Sequence, residues 1–394
     1  MKFIVSHPTG NTFVKALLDE LFREGLLEFF FTSIGFGQKK NLIFSKFINR
    51  RIYDIPDYKI KRLWYPEIQR LLLRGDQTTV RSMTDVSYAC LDAKTSRKIS
   101  IHSSRFIHSY EDCASQTFNR AKELGIQCSY ELPIAYWATG RRILAEEAER
   151  YPEWEPTLET TRESEEKLEL KEEELKLADR ITCPSQFVLD SLPQEIRERK
   201  RCQLSPFGSP ASLKTNLSLS NKKSSKFKIL FVGSMSQRKG LADLFTSMKL
   251  LKNEPVELSV LGQPSMPKEF YRKQFSDFEY FPPCSNDKVR DVMSFHDALV
   301  LPSLIEGRAL VQQEALSCGL PIIVTANAGG ADLIDDGETG YIVPIRSPLH
   351  IAEKIISMMQ SRIPTDERKI LCEKKAASFT WKNYAKKIID FNLS

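Results

Sequence analysis

Two glutamates with seven residues between them, Glu306 and Glu314, carry the side chains of this sequence most suited to a ligand rich in hydroxyl groups. Residues 302–321 read PSLIEGRALVQQEALSCGLP. This pattern predicts that a strand ends at Pro302 and that a loop carries Glu306, before a helix that carries Glu314. Two carboxylates so placed accept hydrogen bonds from several hydroxyls of one molecule. An acidic helix start with a solvated glutamate is the alternative interpretation.

The predicted start of that helix adds backbone groups suited to an anion. The first amides of a helix, here those near Arg308, Ala309, Leu310 and Val311, have no partner inside the helix. They lie at the positive end of the helix dipole, which favours phosphate or sugar oxygens. We therefore predict that these residues and Gly307 form one binding site with the glutamates.

A second group of residues supplies positive charge. The strand predicted over Phe227–Val232 ends at Gly233, and Arg238 and Lys239 precede the predicted start of a helix at Gly240. Cations fixed at such a place stabilise negative charge on a phosphate group. A basic loop that only caps the helix is the alternative interpretation.

A third loop contains Gly10 and Asn11, directly after the first predicted strand, Lys2–Ser6. A glycine at a strand-to-helix loop lets the backbone approach a ligand closely. The loop does not read G-x-G-x-x-G, so the sequence does not favour a nicotinamide dinucleotide. An ordinary turn is an equally valid interpretation of this loop.

The elements that position these loops form an alternating pattern. Short apolar runs bounded by Gly, Pro or Ser alternate with segments of helical period, which predicts parallel sheets covered by helices. Ligands of such sheets bind outside the carboxyl ends of the strands, where all three loops lie. The predicted strands are Lys2–Ser6, Phe29–Thr32, Phe106–His108, Gln127–Tyr130, Arg180–Pro184, Phe227–Val232, Val256–Leu261, Glu279–Phe281, Ala298–Leu301, Pro321–Val324 and Tyr341–Val343. The predicted helices are Phe13–Phe22, Asp112–Leu124, Gln186–Ser191, Gly240–Leu251, Leu310–Ser317 and Leu349–Met359.

The length of 394 residues is sufficient for two domains, because single cores stop growing near about 250–300 residues. Asn216–Lys226 is rich in Ser, Asn and Lys and is the best linker candidate. We therefore predict one α/β domain over residues 1–215 and a second over residues 216–380.

The segment around Glu306 resembles the E-x(7)-E motif of retaining glycosyltransferases of family four. That family has the GT-B fold, in which two Rossmann-like parallel-sheet domains face each other across a cleft. The resemblance implies that Glu306 contacts hydroxyls of the transferred sugar and that Glu314 holds the ribose of the nucleotide. It also implies that Lys239 neutralises the donor diphosphate. Many members carry an Arg directly after the first Gly of that loop, where this chain has Ser234, and Arg238 is the candidate for the missing charge.

The resemblance covers roughly Ala178–Trp381 and includes a Gly-Gly loop at residues 326–332 and a turn at residues 335–341. It implies that a helix at about residues 381–394 packs back on the first domain. Residues 1–177 match only loosely, and there the family's usual His after the strand Gln127–Tyr130 is replaced by Glu131. His108 is the nearest histidine, so His108 and Glu131 are further candidate site residues. A satisfied structural histidine is the alternative for His108.

The activity that the resemblance implies is transfer of a sugar, with retention, from a nucleoside-diphosphate sugar to a hydroxyl of a saccharide or lipid-linked acceptor. The nucleotide sugar is then a substrate, and neither a metal nor a cofactor is expected. Polysaccharide or glycoconjugate biosynthesis is the expected setting. A hydrolase of activated sugars, a nucleotide-sugar epimerase and a catalytically silent nucleotide-sugar-binding protein are the alternatives.

The composition limits the partners and the location. A diffuse net charge of +6, without any nucleic-acid-binding signature, fits anionic small substrates or a membrane surface better than nucleic acid. Eight cysteines without a C-x-x-C pair suggest neither a zinc site nor a disulfide framework. No apolar run reaches the roughly 18–20 residues of a membrane span, and the N-terminus lacks a signal-peptide pattern, which predicts a cytoplasmic protein.

One segment suggests contact with the inner face of the membrane. The stretch Phe44–Arg74 interleaves Lys and Arg with aromatic residues. Such a stretch can rest on an anionic membrane and meet a lipid-linked acceptor. A packed helix face with a solvated side is the alternative interpretation. The aromatic residues are Phe47, Tyr53, Tyr58, Trp64 and Tyr65.

Overall fold

The computed structural model describes residues 1–38, 49–72, 77–100, 104–158, 163–212 and 226–394. The described strands form two parallel sheets, one of seven strands and one of six. The strands are β1 Lys2–Ser6, β2 Leu27–Thr32, β3 Ile60–Arg62, β4 Ser104–Tyr110, β5 Gln127–Glu131, β6 Arg180–Cys183, β7 Arg201–Leu204, β8 Phe227–Val232, β9 Val256–Leu261, β10 Glu279–Phe281, β11 Ala298–Leu301, β12 Ile322–Thr325 and β13 Gly340–Val343.

Helices connect the strands and cover the sheets. Residues 152–157 and 237–239 form short 3-10 helices. The described α-helices are α1 Thr12–Arg23, α2 Tyr65–Leu72, α3 Gln77–Lys98, α4 Ser115–Glu123, α5 Trp137–Arg150, α6 Glu165–Leu177, α7 Gln186–Ser191, α8 Gln194–Arg199, α9 Leu241–Leu250, α10 Lys268–Gln274, α11 Asn286–Met293, α12 Leu310–Ser317, α13 Pro348–Met359, α14 Thr365–Ala377 and α15 Trp381–Leu393.

Both sheets have the doubly wound strand order of a Rossmann-like domain. The first sheet runs β3-β2-β1-β4-β5-β6-β7, and the second runs β10-β9-β8-β11-β12-β13. In each sheet the chain reverses direction across the sheet at its first strand, and this switch point is where such sheets bind ligands. β8 and β11 begin at partly or fully buried residues and end fully buried, which explains their continuous apolar sequences.

The predicted parallel sheets covered by helices are confirmed in both halves of the chain. β1 and β8 have the predicted bounds. β3 and β7 were not predicted, because both are short edge strands with polar sequences. The prediction placed a helix from Asp112, but α4 begins at Ser115. Asp112 has a φ of 68°, and the Glu174 carboxylate accepts its amide at 3.0 Å, which holds this residue in a turn.

Two predicted segments lie wholly or partly outside the described residues. Within the linker candidate, residues 216–225 are outside, and only Lys226 is described. Within the basic aromatic stretch, residues 44–48 and 73–74 are outside. Of its aromatic residues, Tyr53 is buried in the first domain, whereas Tyr58 and Trp64 are exposed.

The carboxyl ends of the two sheets face each other. Gly307, after β11, lies so close to the segment after β5 that an added Cβ would be 1.6 Å from the Pro133 carbonyl oxygen. The Ser185 hydroxyl, after β6, donates to the Gly307 carbonyl at 2.6 Å. Trp154, in the 3-10 helix after α5, lies within the buried cluster of the second sheet. α15 crosses back and packs on α1, with Tyr384 and Ile388 in the core of the first domain.

Candidate functional site

Glu306 lies between two cations at the carboxyl edge of the second sheet. Its Oε1 is 2.5 Å from Lys239 Nζ and 2.7 Å from Arg238 Nη1. The side chains of Glu306 and Lys239 are only 12% and 13% exposed. The structure therefore brings together three side chains that the sequence predicted as parts of one site. Two cations and one carboxylate leave a surplus of one positive charge, which suits an anionic ligand.

Close backbone packing positions the two cations. Gly240, directly after Lys239, has a φ of 76°, and an added Cβ would be 2.1 Å from the Pro302 carbonyl oxygen. Only glycine therefore lets this loop lie against the end of β11. The Leu304 amide donates to the Arg238 carbonyl at 2.8 Å, and Arg238 Nη1 donates to the Ile305 carbonyl at 2.9 Å. These contacts join the loop after β8 to the loop that carries Glu306.

The loop after β12 supports Glu306 from the other side. The Glu306 amide donates to the Asn327 carbonyl at 3.1 Å, and the Asn327 side chain donates to the Leu304 carbonyl at 2.8 Å. Asn327 lies in the predicted Gly-Gly loop, but the sequence gave it no role at the site. The carboxylate thus projects from a backbone that two neighbouring loops hold in place.

Burial and charge act in opposite directions on this pair. Burial lowers the pKa of Lys239, and Glu306 raises it without fully compensating, so the pKa stays below its ordinary value. Burial alone would raise the pKa of Glu306, but Lys239 and Arg238 outweigh burial and hold this pKa below its ordinary value. Glu306 is therefore an ionised acceptor at neutral pH. Its charge also keeps Lys239 protonated to a higher pH than burial alone would allow.

Glu314 lies on the second turn of α12, away from the ion pairs of Glu306. Asn286 Nδ2 donates to Glu314 Oε1 at 3.4 Å. Burial raises the pKa of Glu314, and Arg290 partly opposes this shift. Within the described residues, no contact joins Glu314 to Glu306 or Lys239. The sequence did not single out Asn286 and Arg290, which come from α11 and share this part of the surface with Glu314.

The residues between the two glutamates divide into two groups. The Arg308 side chain is fully buried, where it donates to Asp332 at 2.7 Å and to the Gly329 carbonyl at 3.0 Å. These contacts direct the Arg308 guanidinium into the second domain, so only its backbone is left for the predicted role. The Ala309 amide donates to the Ala328 carbonyl at 3.1 Å.

The start of α12 retains free donors. Within the described residues, the Leu310 and Val311 amides have no hydrogen-bond acceptor, as expected for the first turn of a helix. The carbonyl of Gly307 is already occupied by Ser185. The predicted anion-binding group therefore narrows to the amides at the first two positions of α12.

The predicted glycines differ in what they pack against. Gly233 has a φ of 151° and an added Cβ would be 3.5 Å from Lys239 Cε, so this glycine lies beside the lysine side chain. At Gly10 an added Cβ would be 1.7 Å from the Arg50 carbonyl oxygen, so the close approach there is to the protein's own backbone. Asn11 precedes α1 and is exposed. The structure thus places Gly233 at the cationic loop and gives Gly10 a packing role.

His108 and Glu131 lie inside the first domain. His108 Nδ1 is 2.9 Å from Ser129 Oγ, and its Nε2 is 3.5 Å from Glu131 Oε2. The hydroxyl of Tyr384, on α15, donates to Glu131 Oε1 at 2.6 Å. Burial alone would raise the pKa of Glu131, but His108 outweighs burial and holds this pKa below its ordinary value. These contacts fit a structural role that ties α15 to the first sheet.

His7 is a buried histidine next to this group, and its titration should affect stability. Burial lowers the pKa of His7 from 6.5 to about 4. The unfolded chain therefore binds more protons than the folded chain between these values, so stability falls as the pH drops through this window. We expect wild-type protein to lose up to about 3 kcal/mol more than a His7→Asn variant between pH 7 and 4.

Urea unfolding at several pH values would measure this difference. The exposed His350 offers the matched control, because His350→Asn should keep the wild-type pH dependence. An identical pH dependence in wild type and His7→Asn would contradict the prediction.

A buried network that the sequence did not reveal holds the cationic loop. Gln237, which precedes Arg238, donates to Glu147 at 2.6 Å and to Asp243 at 2.9 Å. Arg346 donates to Glu147 at 2.7 Å from a position 199 residues further along the chain. Since Glu147 belongs to α5, the network joins this helix to the loop of Lys239. In the sequence, Glu147 is one of several acidic residues on a polar helix, so no pattern indicates its burial.

Other predicted features concern metals, cysteines and membrane spans. Within the residues that the structure describes, no three His, Cys, Asp or Glu side chains form a group that suits a metal ion. The eight cysteines are free. None of the described helices combines the length and the apolar composition that crossing a bilayer requires.

Comparisons with known proteins give consistent results for the second domain. Residues 215–377 match the family model described as glycosyl transferases group 1. The D-inositol 3-phosphate glycosyltransferase of Paenarthrobacter aurescens is 27% identical over 187 residues, which cover 45% of this chain and 46% of that protein. The corresponding protein of Pseudarthrobacter chlorophenolicus is 32% identical over 30% of each chain. This chain therefore spans less than half the length of these curated relatives.

Solved structures resemble the whole chain. Sucrose-phosphate synthase from Thermosynechococcus elongatus has a TM-score of 0.69 and 16% identity, with coverage of 100% of this chain and 98% of that chain. Anabaena HepE in complex with UDP has a TM-score of 0.65 and 13% identity, with coverage of 99% of each chain. At these identities the likeness shows the fold, which is the GT-B fold.

Proposed function

We propose that this chain, whose residues 215–377 belong to the glycosyl transferases group 1 family, is a retaining glycosyltransferase. The donor is a nucleoside-diphosphate sugar, and the acceptor is a hydroxyl of a saccharide or a lipid-linked molecule. The reaction uses neither a metal nor a further cofactor. The product belongs to polysaccharide or glycoconjugate biosynthesis, and the protein acts in the cytoplasm or at the inner face of the membrane.

The observation that supports this proposal most strongly is the buried group formed by Glu306, Lys239 and Arg238. A carboxylate that orients a sugar and two cations that face a diphosphate are the charges that this reaction needs. The group lies where the carboxyl ends of both sheets meet, which is the usual ligand position for this type of sheet. The free amides of Leu310 and Val311 lie three to five residues beyond Glu306 along the same loop and helix.

The mechanism follows from these charges. The bond between the anomeric carbon and the diphosphate oxygen breaks, and the acceptor oxygen forms a new bond on the same face of the sugar. Lys239, Arg238 and the α12 amides stabilise the charge that develops on the departing diphosphate. A phosphate oxygen takes the proton of the acceptor hydroxyl. Glu306 orients the sugar, and Glu314 accepts hydrogen bonds from the ribose.

A thermal-shift panel with UDP, GDP and ADP tests donor binding. A ligand at about 100 times its Kd stabilises the folded state by about 2.7 kcal/mol, so the preferred diphosphate should raise the melting temperature by several degrees. The matching monophosphate should raise it less, because it lacks the phosphate nearest to the leaving position. An unchanged melting temperature with all three diphosphates would contradict the proposal.

A catalytically silent nucleotide-sugar-binding protein is the second candidate. One observation favours it, since Glu131 replaces the family's usual His and is committed to Tyr384 and His108 inside the first domain. Mass spectrometry of donor and acceptor mixtures separates the two. Donor binding without transfer or hydrolysis over a panel of saccharide and lipid-linked acceptors would favour the silent protein.

A further inference from the structure

The short helix α2 has an apolar face that no described part of the protein covers. The exposed fractions are 44% for Trp64, which precedes α2, and 39%, 58% and 77% for Ile68, Leu71 and Leu72. The spacing of four, seven and eight residues from Trp64 places all four side chains on one side of a helix. Single exposed apolar side chains are ordinary, but four on one face of a short helix indicate an interaction surface.

A cationic pocket adjoins this face. It has a volume of about 500 Å³ and shares Trp64 with the apolar face. Four of its six lining residues are cations and none is acidic; the lining residues are Arg62, Leu63, Trp64, Lys94, Arg97 and Lys98. Arg62 is paired with Asp57. Within the described residues, Lys94, Arg97 and Lys98 have no acidic partner, so their charge is available to an external anion.

The opposite side of α2 is fixed to the first domain. Glu67 is 2% exposed and accepts from Arg70 at 2.7 Å and from Arg51 at 2.6 Å. The Ser87 hydroxyl, on α3, donates to Glu67 at 3.0 Å. This buried anchor sets the rotation of α2, so its apolar face points away from the domain as a fixed feature of the fold.

We propose that the apolar face of α2 and the cationic pocket together form a docking surface for an anionic lipid bilayer. Trp64 and the apolar side chains of α2 enter the boundary between headgroups and acyl chains, where amphipathic helices and indole rings are favoured. Lys94, Arg97 and Lys98 contact lipid phosphates, and each contributes about 1 kcal/mol near such a surface.

The charge pattern distinguishes a bilayer from a second copy of this chain. A symmetric contact through the same surface would bring the unpaired Lys94, Arg97 and Lys98 of both copies together without any acidic residue between them. Like charges that face each other oppose association. A surface with many phosphates and an apolar interior satisfies both parts of the docking surface at once.

The position of the docking surface gives it a consequence for the proposed function, on which this step rests. Trp64 follows β3 at the carboxyl edge of the first sheet, the same edge at which Pro133 meets the second domain. Arg51 links the anchor Glu67 to the loop of Gly10, because it also donates to the Pro8 carbonyl at 2.7 Å. A docked protein therefore holds the edge of its cleft near the bilayer, which favours a lipid-linked acceptor.

Sedimentation with lipid vesicles tests the docking surface. Wild-type protein should sediment with vesicles of phosphatidylcholine and phosphatidylglycerol, and much less with phosphatidylcholine alone. Increasing salt should release it, because the attraction to the lipid phosphates is screened. Arg97→Glu with Lys98→Glu should lower binding at least about tenfold, since the energy of the two cations is lost. Leu71→Gln with Leu72→Gln should also lower binding at least about tenfold, through lost burial of apolar surface.

Matched controls come from the second domain. Leu250 is an exposed leucine at the end of α9, and Lys249 and Lys252 are exposed lysines beside it. Leu250→Gln and the double variant Lys249→Glu, Lys252→Glu should keep wild-type binding. Wild-type protein that stays in the supernatant with both kinds of vesicle would overturn the docking surface, and so would equal losses in the docking and control variants.

A parallel measurement keeps this test separate from the proposed function. The thermal shift produced by the preferred nucleoside diphosphate should be the same in wild type and in all docking variants. Vesicle binding without any nucleotide response would reject the proposed function and leave the docking surface supported. A nucleotide response without vesicle binding would reject the docking surface alone.

Discussion

Replacing Lys239 with methionine is expected to lower the rate of sugar transfer by about 10²-fold or more, because the departing diphosphate loses a fixed cation in a partly dry site. Methionine keeps an unbranched apolar side chain beside Gly233, so the packing of the loop should change little. Glu306 keeps Arg238 as a partner at 2.7 Å, so the carboxylate is not left buried without a counter-charge. Initial rates with saturating donor would measure the effect.

Lys375 is the matched control for this variant. Its Nζ is 2.7 Å from Asp335, and its side chain is 21% exposed, so it resembles Lys239 in having one close carboxylate. Within the described residues it contacts neither Glu306 nor Arg238. Lys375→Met should keep the wild-type rate. A Lys239→Met enzyme that transfers sugar at the wild-type rate would refute the assignment of the diphosphate to Lys239.

Replacing Glu306 with glutamine is expected to have opposite effects on transfer and on product binding. Transfer should fall by about 10- to 100-fold, because a hydrogen bond to a charged group contributes about 1.5–3 kcal/mol. The nucleoside diphosphate alone should bind at least about fivefold more tightly. A negative charge a few ångströms from the diphosphate, which opposes binding by about 1 kcal/mol or more, is removed.

The same variant should also change the pH dependence of diphosphate binding. Glu306 raises the pKa of Lys239 against the effect of burial, so its loss lowers this pKa further. Diphosphate affinity of Glu306→Gln should therefore decrease with rising pH from a lower pH than in wild type. Titration calorimetry at several pH values would measure both effects.

Asp335 provides the control, because Asp335→Asn removes the carboxylate of the other ion pair. This variant should keep the wild-type affinity, rate and pH dependence. Weaker diphosphate binding in Glu306→Gln than in wild type at every pH would show that Glu306 does not compete with the diphosphate for the two cations.

The sequence alone led to the correct fold, and the membership of the GT-B glycosyltransferases that it predicted is confirmed by the family match and by the solved structures. The strands of the second domain were predicted best, since β8, β9 and β11 are apolar runs with clear boundaries. In the first domain the edge strands β3 and β7 were missed, because a short polar strand owes its conformation to a paired neighbour.

The roles of individual side chains were predicted less completely. Glu306 and Lys239 were placed in one site from the sequence, and the structure shows them in contact. Glu314 and the carboxylate group of Glu131 were assigned to the same site by resemblance. The structure places Glu314 near Asn286 and Glu131 against Tyr384, and their roles remain predictions.

The local sequence determined which segments are strands and which loops follow their carboxyl ends, because these features depend on periods of two to four residues. Only the tertiary structure decided which side chains meet. Glu131 and Tyr384 are 253 residues apart, and Gln237 and Glu147 are 90 residues apart, yet both pairs are in contact. Such contacts depend on the order of strands and on how the two sheets face each other, which no local pattern encodes. The direction of the Arg308 side chain was decided in the same way, since its partner Asp332 lies on another loop.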